Sequence, residues 1–436
     1  MSVNPATAPL LSADGMPLKK SLGRALRRQK IRALMLIAPL LLFVFVAFIM
    51  PIVSMLFRSV ENDIVADTLP QTVLELQSWD AELGELPPEL VYAALASDIK
   101  IAAEARKHTK VGLRLNYEQS GVASLFKKTA RQAKKWDDDA DAPFKEKLIE
   151  VHKSWGEIEI WQTLKVHSSN YTSGYFLNAI DMRKTVSGPE FQPEEKQVLI
   201  LLFKRTLVMS LIIMGTCILL GYPVAWLLAN LPARQANLLM ILVLLPFWTS
   251  LLVRTSAWKV MLQQQGVIND LLVQLGLVAD SARLVMINNE TGTIVAMTHI
   301  LLPFMILPMY SVMQTIPPTY LRAAKSLGAT NWTAFWRVYF PQTVPGIGAG
   351  SILVFILAIG YYITPEIVGG SKGVFISNRI AYSILKSLNW GLGAALASIL
   401  LVAVLVLYWT YDKIVGIDNV KSVSYTHLTL PTILLV

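Results

Sequence analysis

Six long apolar runs, separated by polar segments, dominate the pattern of hydrophobic and polar positions along the chain. Each run is long enough for a helix that crosses a hydrocarbon layer of about 30 Å, which takes roughly 20 helical residues. The pattern therefore predicts an all-α polytopic membrane protein with six transmembrane helices. These spans are expected at residues 33–57, 206–229, 236–258, 293–315, 344–364 and 391–411.

A polar segment of unusual length, residues 58–198, separates the first two apolar runs. Apolar residues recur at approximate helical spacing in three of its stretches, which are 86–108, 124–136 and 143–161. The segment 136–143 reads as an exposed turn. We therefore expect a largely helical external insertion domain between helices 1 and 2. The sequence leaves the role of this domain open.

Charge is distributed unevenly between the insertion and the rest of the chain. About 23 of the 30 acidic residues fall between Glu61 and Glu195. The chain as a whole is 54% hydrophobic and only 16% charged, whereas soluble domains carry about 25% charged residues. Many of the cations behind the net charge of +9 lie beside apolar runs, where they set membrane orientation. The charge therefore does not indicate a nucleic-acid partner.

Cations before the first apolar run predict the topology. By the positive-inside rule they place a basic N-terminal segment, 1–32, in the cytoplasm, and six crossings return the tail 413–422 to the same side. The run is too long for a cleavable signal, and no A-x-A site follows it. The last residues, 423–436, resemble vector-derived peptide and are predicted to be a non-native tail. The basic residues are Lys19, Lys20, Arg24, Arg27, Arg28, Lys30 and Arg32.

The sequence offers few groups for catalysis or metal binding. Its one cysteine, Cys217, lies in an apolar run, and the five histidines show no ligand-like spacing. No G-x-x-x-x-G-K-[ST] motif occurs. The glycines at 346, 348 and 350 open a membrane span, where close helix packing explains them better than phosphate binding. We therefore expect no enzyme activity, no metal site and no cofactor bound by this chain.

The loop 316–343, between the fourth and fifth spans, is the most informative polar segment. Prolines at its start should stop the membrane helix, after which 320–327 contains good helix formers. Gly328 is placed to end that helix, and a second helix is expected to run over 332–340 until Pro341 closes it. Such a helix–turn–helix could be an interfacial connector or a docking element, and periodicity alone does not separate the two.

The same loop resembles the EAA loop in the membrane subunits of ABC importers. The stretch AAKSLGATNWTAFWRVYFP matches that pattern at seven positions, but Arg322 stands where Glu is usual and Phe340 where Leu is usual. Further stretches, at 244–262, 360–370 and 389–397, resemble the spermidine/putrescine-type branch of these permeases. The resemblance assigns ATPase coupling to Arg322, Ala323, Ala324, Gly328, Ala329, Phe335, Val338 and Pro341.

The resemblance covers the first span and about residues 200–412, and it implies the permease fold of ABC importers with a core at 199–412. It implies import of a small, polyamine-like solute across the bacterial inner membrane. The expected partners are a cytoplasmic ABC ATPase dimer that uses ATP and Mg, a periplasmic substrate-binding protein, and a second permease subunit, as a heterodimer ahead of a homodimer.

Four residues near the external ends of the spans are candidates for the substrate path. They are Arg254, Trp258, Asp270 and Glu366. The carboxylates could attract a cationic solute or be merely solvated, and the arginine could snorkel to water. Two other functions remain open at this point. One is a membrane-anchored sensor or scaffold with an external ligand-binding domain, and the other is a secondary transporter that works alone.

Overall fold

The computed structural model describes residues 18–136 and 143–415, with side chains at 26–136 and 143–413. The predicted turn at 136–143 therefore falls almost entirely outside the described residues, as does the tail 423–436. The chain divides into two compact units, residues 1–58 and 59–436. The first unit holds one apolar helical stretch, Leu26–Phe57, in which a π-helical turn, Phe45–Ile49, joins two α-helices. These helices are α1 Leu18–Val44 and α2 Met50–Phe57.

The second unit begins with the insertion, which is largely helical as predicted. The start of its long helix α5 follows Pro88, whose fixed φ and missing N–H suit a helix start. The predicted helix at 143–161 is instead two helices with a 3-10 turn between them. The insertion consists of α3 Asp63–Thr68, α4 Pro70–Ser78, α5 Glu89–Glu104, α6 His108–Asn116, α7 Val122–Ala133, α8 Phe144–Val151, α9 Ile158–Val166, α10 Gly174–Ala179 and an antiparallel hairpin, β1 Met182–Thr185 and β2 Gly188–Phe191.

Aromatic side chains form the centre of the insertion's core. Trp155 and Trp161 are fully buried, with ring centroids 5.3 Å apart. Each indole N–H has an acceptor, because Trp155 donates to the Thr129 hydroxyl and Trp161 donates to the Trp155 carbonyl. Tyr92 also donates to that carbonyl. The core therefore buries large rings without leaving their polar atoms unsatisfied, and it needs no cysteine.

The rest of the second unit is a helical membrane core. Among the described residues of both units, five helical stretches are long and apolar enough to cross a membrane, and a bent pair supplies a sixth crossing if it counts as one span. This agrees with the predicted fold class. The core contains α11 Leu199–Asn230, α12 Ala233–Leu244, α13 Leu251–Met261, α14 Val267–Gln274, α15 Glu290–Gln314, α16 Pro318–Ser326, α17 Asn331–Ala334, α18 Phe340–Gly360, α19 Ile363–Val368, α20 Ile376–Leu385 and α21 Trp390–Val415.

The predicted third span is the bent pair, α12 and α13. Its two halves, Ala233–Trp248 and Leu251–Met261, differ in direction by 94°. Thr249 and Ser250 have extended backbones, and the Ser250 hydroxyl accepts from the Val253 N–H to cap the new helix. The span predicted at 236–258 is therefore broken at Thr249 and Ser250, which the apolar pattern did not indicate.

The predicted end of a helix at Pro341 was wrong. The chain continues as one helical stretch, Asn331–Gly360, through a π-helical turn at Phe335–Tyr339. The proline occupies the first turn of α18 directly after that turn. A π-turn shifts the hydrogen-bond register, so the ring and the missing N–H are tolerated there. The second half of the loop 316–343 and the fifth span are consequently one helical stretch.

Glycines on α18 allow the fifth span to lie close to the fourth. A Cβ on Gly346 would come within 3.1 Å of the Met309 Cα, and a Cβ on Gly350 within 3.1 Å of the Met305 carbonyl. Both methionines belong to α15 and are fully buried. These glycines serve helix packing, as the sequence predicted.

The candidate coupling loop and solute path

The first part of the site is α16, a short and largely exposed helix that follows the fourth span. It ends in a Schellman motif, since Ala329 N–H donates to the Ala324 carbonyl and Gly328 N–H to the Lys325 carbonyl. Gly328 has φ +90°, which glycine adopts without strain, and nothing lies within 4 Å of where its Cβ would be. The predicted glycine C-cap is confirmed.

The surface of α16 is cationic and partly apolar. Arg322, Ala323 and Lys325 are exposed, and Leu327 at the helix end is 89% exposed. The whole segment 316–343 contains no carboxylate. An exposed leucine beside unpaired cations gives this helix the composition of a docking surface.

Aromatic rings join this surface to the spans behind it. Trp332 is 72% exposed and contacts Trp336, with centroids 5.5 Å apart. Phe335 contacts the Tyr222 ring of α11 edge-on at 6.3 Å. Tyr222 also reaches α18, where its hydroxyl lies 3.3 Å from the Thr343 hydroxyl. The segment that follows α16 is therefore packed against α11, and α11 in turn contacts α18.

The predicted coupling residues fall into two groups along this element. Arg322, Ala323 and Gly328 are exposed on α16 and its turn, with Ala324 and Ala329 partly buried beneath them. The remaining three, Phe335, Val338 and Pro341, lie on the helix that leads into the fifth span. The structure thus places all eight on one continuous feature, and their role in coupling stays a prediction.

The second part of the site surrounds α13. Trp258 donates from its indole N–H to His299 Nδ1 over 3.0 Å. Arg254, one turn earlier, lies within electrostatic range of His299 and Tyr361. Its Nε and Nη1 atoms are buried and have no hydrogen-bond acceptor among the described residues. Sequence reasoning did not include His299 in the path, because a single histidine in an apolar run gives no sign of its partner.

The two predicted acidic path residues occupy different surroundings. Glu366 is exposed on α19 and accepts a 2.7 Å hydrogen bond from the Asn378 amide. Its helix lies beside α13, where Thr255 and Thr364 are joined by a hydrogen bond of 3.1 Å between their hydroxyls. Asp270 lies on α14, in contrast, and is ion-paired with Arg283 at 2.7 Å. The structure therefore brings Arg254 and Trp258 together on a helix that adjoins the Glu366 helix, and Asp270 is held by its own partner.

The insertion is fastened to the membrane core at two helix starts. The Asp181 carboxylate accepts from the backbone N–H groups of Val198, Leu199 and Ile200, which satisfies the first turn of α11. The Tyr175 ring of α10 lies directly over Gly391 in the first turn of α21. No sequence pattern pointed to these contacts, since the partners are distant in the chain.

A third contact strengthens the same attachment. Tyr117, at the end of α6, donates to the Ser387 carbonyl in the loop before α21. The Arg114 guanidinium lies 4.5 Å from the centroid of the Tyr175 ring, which adds a cation–π interaction. The insertion and the start of the last span are therefore one packed body.

A buried polar network stands behind the Tyr175 contact. Arg114 donates to Asn62 and to Glu118, at 2.8 Å each, and its Nη2 lies 3.4 Å from His167 Nδ1. Burial alone would raise the pKa of Glu118, but His167 and Arg114, together with hydrogen bonds from Asn178 and Arg114, lower it below its usual value. Glu118 is therefore ionised, as a buried acid paired with an arginine should be.

Protonation of His167 should weaken the insertion. Burial lowers its pKa from 6.5 to about 4, with Glu118 opposing the shift and Arg114 and Lys184 adding to it. As pH falls, the unfolded chain therefore binds this proton before the folded chain does. The contribution of the neutral ring to the free energy of unfolding is complete above pH 6.5 and is lost as pH falls towards 4. The loss is about 3 kcal/mol at most.

We expect His167→Gln to flatten the decrease in the insertion's unfolding temperature between pH 7 and pH 4.5, measured by tryptophan fluorescence of the full chain in nanodiscs. The matched control is His108→Gln, which changes a partly exposed histidine of the same domain. An equal pH dependence in wild type and His167→Gln would refute this account of the network.

Comparison with known proteins identifies the family of this chain. Residues 201–415 match the family described as the binding-protein-dependent transport system inner membrane component. The spermidine/putrescine transport system permease protein PotB of Escherichia coli (strain K12) is 36% identical over 215 residues, which are 49% of this chain and 78% of that protein. The chain belongs to this family. It is a permease subunit of a binding-protein-dependent ABC importer and a multi-pass protein of the inner membrane.

A second relative and one solved structure are also similar to this permease. PotB of Salmonella typhimurium (strain SL1344) is 36% identical over 223 residues, covering 50% of this chain and 77% of the relative. A solved chain from a bacterial ABC transporter involved in alginate import aligns with a TM-score of 0.40 and 22% identity, covering 52% of this chain and 80% of that chain. The family match begins at residue 201, so the insertion lies outside it. Membership decides against the sensor and the stand-alone transporter.

Proposed function

We propose that this permease imports a polyamine-like solute, delivered by a periplasmic binding protein and driven by a separate cytoplasmic ATPase dimer that docks on α16. The observation that carries the proposal is the exposed helix α16, which a short turn at 327–330 joins to the continuous helical stretch Asn331–Gly360 of the fifth span. In this arrangement the N-terminus, α16 and the C-terminal tail are cytoplasmic. A second permease subunit completes the path, and ATP and Mg are used by the ATPase alone.

The polyamine assignment is supported by the names of the relatives and by two side chains. A polyamine presents ammonium groups along an aliphatic chain, and carboxylates and aromatic faces are the groups that bind such cations. Glu366 and Trp258 supply both on neighbouring helices. Arg254 and Asp270 suit this role less, since the first is itself a cation and the second is paired with Arg283.

Purification from membranes in the presence of vanadate, which traps the ATPase, tests the proposal. We expect an ATPase, a second permease and, when polyamine is present, a periplasmic binding protein to co-purify. Reconstituted vesicles should then accumulate radiolabelled spermidine or putrescine only with ATP. A transport-competent particle made of this chain alone would overturn the proposal. Accumulation of an anionic solute in place of both polyamines would overturn the substrate assignment only.

The reversed charge at position 322 predicts the chemistry of the ATPase surface. Because 316–343 carries cations and no carboxylate, we infer that the groove receiving α16 is acidic at this position. We expect Arg322→Glu to weaken ATPase association about tenfold, as repulsion replaces an ion pair. The measurement is the affinity of the purified ATPase for the permease in nanodiscs.

The matched control for this change is Lys259→Glu, which reverses an exposed cation on α13 at the opposite end of the membrane core. We expect its ATPase affinity to equal that of the wild type. An unchanged or tighter association of Arg322→Glu would show that the groove is not acidic there.

A further inference from the structure

A cleft in the insertion carries polar groups that the transport function does not use. It has a volume of 830 Å³ and lies between α9 and the β1–β2 hairpin. This volume is within the range of small-molecule sites. Glu82, Glu159, His167 and Lys184 are among the residues that line it. The insertion lies outside the family match, so the cleft is not part of the shared permease core.

A largely buried histidine presents a hydrogen-bond donor to the cleft. His167 is only 2% exposed, yet it lines the cleft. Its Nδ1 faces the Arg114 guanidinium at 3.4 Å, and because a guanidinium can only donate, Nδ1 accepts and the proton lies on Nε2. An oxygen of Glu118 lies 4.0 Å from Nε2, which is beyond hydrogen-bond distance. Within the described chain this N–H has no hydrogen bond, so it is available to an acceptor that enters the cleft.

Charged residues of both signs line the cleft, and only some of them are paired within the described chain. Arg183 and Glu190 neutralise each other at 3.1 Å, and Glu118 is held by Arg114. Lys184, Glu82 and Glu159 have no ion pair or side-chain hydrogen bond in the described part of the chain. Lys184 lines the same cleft as His167, and its positive charge adds to the lowering of the pKa of that ring. The two free carboxylates lie on other elements, at the start of α9 and in the 79–88 loop.

We propose that this cleft binds a small zwitterionic solute that carries a carboxylate and an ammonium group. The carboxylate is received by the Lys184 ammonium and the His167 Nε2–H, and the ammonium by Glu159 and Glu82. A diamine would leave the lysine and the histidine without acceptors, and a dicarboxylate would face two unpaired glutamates. Each mismatch places like charges together or leaves charged groups of the cleft without a partner, which weakens binding.

Three probes of equal chain length separate these possibilities. They are 5-aminopentanoate, 1,5-diaminopentane and pentanedioate, which share five carbons and differ only in their end groups. Binding to the full chain in nanodiscs, without ATPase or binding protein, is measured by titration calorimetry. We expect 5-aminopentanoate to bind at least about tenfold more tightly than either of the others, since each charged hydrogen bond contributes about 1.5–3 kcal/mol.

Substitutions of residues that line the cleft test whether 5-aminopentanoate binds there. Lys184→Gln and Glu159→Gln should each weaken 5-aminopentanoate binding about tenfold. The controls Lys127→Gln and Glu104→Gln remove exposed charges elsewhere on the insertion and should leave it unchanged. Absence of binding by all three probes, tighter binding of the diamine or the diacid, or equal effects of site and control variants would each overturn the proposal. Because ATP-driven transport is not part of the assay, failure here leaves the proposed import function untouched.

Discussion

Gly328→Trp should abolish co-purification of the ATPase while leaving the permease folded. The glycine has φ +90° in the turn after α16, with open space around it. An indole there projects from the surface that we propose for docking, and the turn loses the residue best suited to a left-handed conformation. We expect loss of ATP-driven transport and at least about a hundredfold weaker ATPase binding, since interfaces tolerate such bulk poorly at their centre.

The matched control for this prediction is Gly276→Trp. Gly276 has φ +69°, ends the short helix α14 and also has nothing within 4 Å of its Cβ position. It precedes the start of α15, whereas Gly328 follows the end of that 25-residue helix, which is about 37 Å long. Backbone strain is similar at both sites, but only Gly328 adjoins α16. Loss of ATPase binding in both variants would assign the effect to strain and remove the argument for docking.

Gly391→Val should detach the insertion from the last span. A Cβ at this position would come within 2.6 Å of three carbons of the Tyr175 ring, so the ring or the start of the helix must shift. Overpacking of this kind costs about 1–3 kcal/mol or more. Hydrogen exchange of the full chain should show faster exchange in 174–202, and the loss should be largest at the first turn of α11.

A second substitution tests the mechanism. Tyr175→Ala in the Gly391→Val background removes the ring that clashes, and we expect it to restore most of the protection. Gly215→Val is the control, because its Cβ would meet nothing within 4 Å. If Gly391→Val exchanges no faster than Gly215→Val, the ring does not fasten the insertion to this helix.

Much of the fold could be predicted from local patterns. The apolar runs predicted the spans because crossing a bilayer needs length and hydrophobicity, which are properties of a single segment. Gly328 was predicted as a helix end because its backbone requirement is local. The break in the third span was also readable in part. Ser250, three residues before the N–H that it caps, is a helix-start signal that hydropathy ignores.

Other features could not be predicted because they depend on groups far apart in the chain. Pro341 normally ends a helix, and only the π-turn formed with the preceding aromatic residues explains why it does not. In the candidate path, Arg254 and Trp258 share a helix, but their relation to His299 and to the Glu366 helix comes from packing. The His167 donor in the cleft likewise arises from the position of Arg114, 53 residues earlier.

The Asp181 cap has a consequence for how this chain can be made and divided. During synthesis the whole insertion emerges before α11, so the second span reaches its capped form only after the hairpin has brought Asp181 to Val198, Leu199 and Ile200. A deletion of the insertion, or a chimaera joined at residue 198, would expose three bare N–H groups at the start of a transmembrane helix. A chimaera that transfers the insertion must therefore keep 174–202 intact, so that the hairpin and the first turn of the span are transferred together.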